Sequence, residues 1–113
     1  MIEARLKAGV IVQAAIRRAS LRGVPATVVR KGDPDAGQVY VVVNRGREVG
    51  CVVLAPARDY DSGKTVWRQP LGEAPVPEAD AEAYLEKERR VDPDLWVLEI
   101  EDRDGWHPFD EPL

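Results

Sequence analysis

Asp33 and Asp35 straddle Pro34 in the run Lys31-Gly32-Asp33-Pro34-Asp35-Ala36-Gly37. Two carboxylates so spaced are the kind of pair that ligates Mg²⁺ or Ca²⁺. The same residues are what a chain reversal asks for. Asp bonds nearby backbone N–H groups, Pro fixes φ, and Gly tolerates φ > 0. Arg30 and Lys31 beside the aspartates also disfavour a cation, so the sequence predicts a turn. Two other patterns imitate ligand sites. Ser62-Gly63-Lys64-Thr65 ends like a phosphate-binding loop, but the required first glycine falls at Arg58. A strand rather than a helix follows, which removes the free N–H groups that hold phosphate. Asp102, Asp104, Gly105 and Glu111 match part of a calcium loop, yet its first ligand would be Ile100, and Pro108 interrupts it. A solvated acidic tail is the expected reading. His107 and Cys51 are the single histidine and cysteine, too few for the common zinc sites. Ser20 and Ser62 sit in no nucleophile elbow that would pair with His107. No catalytic residue, metal ligand or cofactor is therefore assigned, and an enzymatic role is disfavoured.

What remains are groups suited to contact. Trp67, Trp96 and Trp106 are many tryptophans for a chain of 113 residues. Trp96 is expected in the core. Trp67 and Trp106, near arginines such as Arg45, are expected in the core and its covering tail, or else on an interaction surface. The candidate interaction or ligand site accordingly comprises Arg30, Asp33, Asp35, Arg45, Trp67, Trp106 and His107.

These residues must be positioned by one domain, residues 1–113, because the length suits a single core. Hydrophobic residues at 44% and charged residues at 32% mark an ordinary globular composition. The longest apolar runs are far too short to span a bilayer. No secretory signal pattern opens the chain, and one cysteine excludes an internal disulfide, so a cytoplasmic location is expected. Net charge of -4 argues against nucleic-acid binding. The charge is unevenly spread: residues 1–50 carry nine Lys or Arg against four Asp or Glu, and residues 51–113 carry seven against sixteen. That asymmetry gives one basic and one acidic face unless the halves interleave, and it favours contacts with a partner or another copy.

The elements follow from apolar period and punctuation. Residues 8–22 are predicted helical, with Gly23 as the stop. This helix is apolar on two sides. Leu6, Val10, Ala14 and Leu21 share one side, and Val12, Ile16 and Ala19 the other. Either a second subunit covers it or residues 10–12 are partly extended. Strands are predicted over residues 24–31, 38–45, 48–57 and 65–69, joined by short turns as an antiparallel meander. Pro77 is placed at the first position of a second helix, whose Tyr84 and Val91 face the sheet and which Asp92-Pro93 ends. A last strand covers residues 95–101, and residues 102–113 form an acidic, aromatic C-terminal segment. The order α-β-β-β-β-α-β gives an α+β fold, a mainly antiparallel sheet with helices packed on one face.

The runs VVRKGDPDAGQVYVVVNR and VPEADAEAYLEKERRVDPDLWVLEIEDRDG, followed by FDEP, together with Arg5-Leu6-Lys7 and Arg17-Arg18, carry a family resemblance. The chain resembles an uncharacterised alphaproteobacterial family, domain of unknown function 1491, over most of its length. The resemblance implies no activity, cofactor or site residue. The expectation is a small, non-enzymatic binding module with a protein partner or its own copy. The alternative is a small-ligand-binding or hydrolytic protein with a cleft near Asp33–Gly37 and the C-terminal segment.

Overall fold

The computed structural model describes residues 6–110. Helix α1 spans Ala8–Leu21, and strands β1 to β4 span Ala26–Arg30, Val39–Asn44, Cys51–Arg58 and Thr65–Arg68. Helix α2 covers Glu78–Val91, strand β5 covers Trp96–Glu101, and a 3₁₀ turn covers Pro108–Asp110. The α+β class and the element order are as the sequence predicts.

Strand order in the sheet is β1-β5-β2-β3-β4. Only β2 and β5 are parallel, with Val39 beside Trp96 and Asn44 beside Glu101; the remaining pairs are antiparallel. The predicted four-strand meander is thus corrected. β2, β3 and β4 form a meander, but β5 inserts between β1 and β2. The reason lies in burial. β5 is apolar on both sides and belongs in the middle, whereas most of β1 is exposed and suits an edge.

The placement of both helices on one face is also corrected. Val39, Val41, Val43, Leu54, Trp96, Leu98 and Ile100 pack with Ala8, Val12 and Ala15 of α1. Val42, Val53, Leu95 and Val97 pack with Ala81 and Leu85 of α2 on the opposite face. A sheet apolar on both sides requires a cover on each.

α1 ends in a Schellman arrangement. Gly23 takes φ +72, its N–H donates to Ser20 O at 3.0 Å, and Val24 N–H donates to Ala19 O at 2.8 Å. Residues 10–12 are helical throughout. Pro77 lies one position before α2 as its N-cap, its carbonyl accepting from Asp80 N–H at 2.9 Å. Val91, expected to face the sheet, is instead 82% exposed; Leu85 is buried against the sheet and Tyr84 packs beside it.

Candidate functional site

The aspartate turn is built by its own backbone. Asp33 Oδ1 accepts from Asp35 N–H at 2.8 Å and from Ala36 N–H at 2.9 Å. Those two bonds hold the carboxyl below its usual range. The loop joins β1 to β2, strands that are not neighbours, so it arches across the start of β5. Asp33 N–H donates to Asp94 O at 2.9 Å, and Trp96 Nε1–H donates to Asp33 O at 2.7 Å. Gly9 N–H of α1 donates to Pro34 O at 2.9 Å, and Lys7 Nζ lies 3.6 Å from Asp35. Arg30 reaches Pro93 O at 3.2 Å. Arg30, Asp33 and Asp35 therefore share one end of the sheet.

Arg45 and Trp106 lie at the other end, where β2 and β5 finish. A six-residue strand separates the two groups by about 20 Å. Arg45 Nε–H donates to Arg103 O at 3.0 Å, and its side chain lies against Gly105. Trp106 N–H donates to Asp102 Oδ2 at 2.7 Å, so the calcium-like run is a capped turn. Its Glu111 lies outside the described residues. The phosphate-loop mimic is the β3–β4 hairpin. There Asp59 Oδ1 accepts from Asp61 N–H at 3.1 Å, and Ser62 Oγ–H donates to Asp59 Oδ2 at 2.9 Å.

Trp67 is half-buried against Phe109, with ring centroids 4.6 Å apart. His107 Nδ1 accepts from Phe109 N–H at 3.1 Å, and Nε2 lies 3.7 Å from Asp110. Burial lowers the imidazole pKa against the opposing pull of Asp110. Cys51 is buried in the α2-side core, and burial, with Glu78, Glu99 and Glu82 nearby, pushes its thiol up to about 11. Such a thiol stays protonated and unreactive. Among the described residues, no three His, Cys, Asp or Glu side chains stand close enough to hold a metal.

Two surface clefts stand out among the described residues. One, about 680 Å³, lies at the ends of β2 and β5 and is lined by Arg45, Arg47, Arg103, Glu48, Glu101 and Asp102 among others. The second, about 340 Å³, is formed by Arg18, Leu21 and Arg22 of α1 and its cap with Trp106, His107, Pro108 and Asp110. Arg22 lies 4.8 Å from the Trp106 ring centroid. Neither cleft includes Asp33 or Asp35, so the structure does not join them to Trp106 and His107.

The second cleft continues onto the outer side of α1, a surface not among the residues expected from the sequence to form the site. Ala8, Val12, Ala15 and Ala19 face the core, leaving Val10, 49% exposed, and Leu21, 83% exposed, on the outside. Arg17 is exposed between them. The signal was the second apolar side of the helix, which no other element covers among the described residues. α1 contains no acidic residue, whereas α2 begins with Glu78, Asp80 and Glu82. With the helices on opposite faces, the charge asymmetry of the sequence becomes a basic helix on one face and an acid-rich helix start on the other.

The model of the family described as Protein of unknown function (DUF1491) matches residues 6–110. A crystal structure of a DUF1491 family protein from Caulobacter crescentus CB15 is 44% identical over 90% of each chain, with a TM-score of 0.77. An NMR structure of a DUF1491 family protein from the same organism is 44% identical over 97% of each chain, at 0.82. A solution structure of a protein from A. tumefaciens is 34% identical, covers 87% of this chain and 86% of that one, and has a TM-score of 0.71. No curated protein matches the chain.

Proposed function

This chain belongs to the DUF1491 family, and from that premise we propose that it is a non-catalytic, cytoplasmic module that binds another protein through the outer side of α1. One observation carries the reading: Val10 and Leu21 remain exposed on a helix whose opposite side already fills the core, with arginines and no acid between them. Exposed apolar groups rimmed by charge characterise contact surfaces. Pairing two copies through α1 would set Arg17 and Arg22 against themselves, so a partner of opposite charge is favoured over α1–α1 self-association. The aspartate turns support a non-catalytic role, since their carboxylates serve as backbone caps.

Site-specific photocrosslinking in cells tests this. A photoreactive residue at position 10 or 21 is expected to trap one discrete protein, and the same residue at position 83 on α2 is not. An equal pattern from all three positions, or no adduct from α1, contradicts the proposal.

The larger cleft supports a second reading, a small anionic ligand. Arg45, Arg47 and Arg103 line it, and among the described residues none of the three is in an ion pair. Glu48, Glu101 and Asp102 offset their charge, which is why this reading ranks second. A saturable rise in Tm with a nucleotide, lost in Arg47→Ala, would establish it.

A further inference from the structure

The cleft at the C-terminal end of α1 has a composition that narrows the kind of partner. Trp106 and Pro108 form apolar walls, exposed Leu21 stands at the rim, and the Arg22 guanidinium stacks on the indole. Trp and Arg are the side chains that concentrate binding energy at protein interfaces. A volume of about 340 Å³ sits at the lower end of the range for ligand pockets. It has room for one or two side chains rather than a cofactor. Three arginines, at positions 17, 18 and 22, gather within the last turn and a half of the helix and its cap. Asp110 is the acid lining the cleft, and it already faces His107. Arg17 and Arg22 together outweigh Asp110 and the roughly half a negative charge of the helix dipole, which leaves the rim positive. Among the described residues, neither Arg17 nor Arg22 is in an ion pair.

We propose that this cleft receives an acidic segment of a protein partner bearing one aromatic or long aliphatic anchor. The anchor rests on Trp106 and Pro108 beside Leu21, and flanking carboxylates pair with Arg22 and Arg17. The proposal rests on the interaction reading above and specifies its partner. A short acidic segment is favoured over a nucleic acid or an anionic membrane. The molecule carries a net charge of -4, which repels an extended polyanion. A short peptide senses mainly charges within a Debye length of about 8 Å.

The test is an NMR titration of the ¹⁵N-labelled chain with defined probes. These are a synthetic peptide of four glutamates around one phenylalanine, the same peptide with alanine for phenylalanine, a lysine-for-glutamate version, and phosphatidylglycerol vesicles. Saturable shifts are expected at Leu21, Arg22 and the Trp106 indole with the first peptide, and binding about tenfold weaker or more without the anchor. Arg22→Glu and Leu21→Asp, both at exposed positions, are expected to keep the fold and to weaken binding about tenfold each. No saturable shift, an equal response to the lysine peptide, or a response to vesicles alone overturns the proposal. The two readings fail separately. A crosslinked partner that loses binding through Val10→Asp but is indifferent to Arg22→Glu and Leu21→Asp removes the cleft and leaves the α1 interface standing.

Discussion

Gly32 and Gly37 are the residues on which the β1–β2 arch depends. A Cβ on Gly32 would fall on the Asp94 carbonyl, and one on Gly37 would lie 2.5 Å from that same oxygen and 2.9 Å from the Trp96 ring. The arch and the start of β5 pass each other backbone to backbone, so neither can retreat. Gly37→Ala is expected to cost about 3 kcal/mol or more, measured by urea unfolding, whereas Gly23→Ala meets no atom and pays only for its positive φ. The turn itself was legible in the sequence, because an Asp capping the next amides is a local property. The close approach was not, since its other half comes from residues about sixty positions away. Tyr40 offers a pH test. Burial, then the Glu88 carboxylate, pushes its phenol from the ordinary 10.0 up to about 12. The unfolded chain releases that proton first, so this contribution to stability is complete below pH 10 and falls between pH 10 and 12. Tyr40→Phe is expected to flatten that part of the stability profile, as followed by thermal melts across the alkaline range.

At the scale of elements, the position of β5 decides the architecture. Alternation along Trp96–Glu101 puts Trp96, Leu98 and Ile100 beneath α1 and Val97 beneath α2, and both sets are buried. Leu98→Ala is expected to cost about 2–5 kcal/mol because its site is closed on every side. Val29→Thr, on the exposed edge strand, is expected to stay within about 0.5 kcal/mol. Equal effects in chemical denaturation would contradict the strand order. The strands themselves could be read from valine-rich runs and glycine turns. Their order could not be read by assuming that sequence neighbours pair. The second helix shows the same limit. Val91 was expected to face the sheet and is exposed, while Leu85, which was not singled out, is buried there; where α2 crosses the sheet, a tertiary property, decides between them.

At the scale of the molecule, one sheet separates a helix bearing arginines and no acid from a helix that starts with three carboxylates within five residues. The sequence showed the imbalance between its halves, and the fold converts it into sidedness. Binding through α1 is therefore expected to be salt-sensitive, its association rate falling severalfold between low and physiological ionic strength while dissociation changes less. Part of the contact surface was legible as the second apolar side of the first helix. The cleft at its end was hidden because Trp106 and Pro108 reach Leu21 from more than eighty residues away. The decisive measurement is the affinity, by calorimetry, of the partner crosslinked through α1 for the wild-type chain and for the Val10→Asp, Leu21→Asp double variant at matched Tm. The account predicts a loss of about a hundredfold or more. Unchanged affinity in a folded double variant would contradict it.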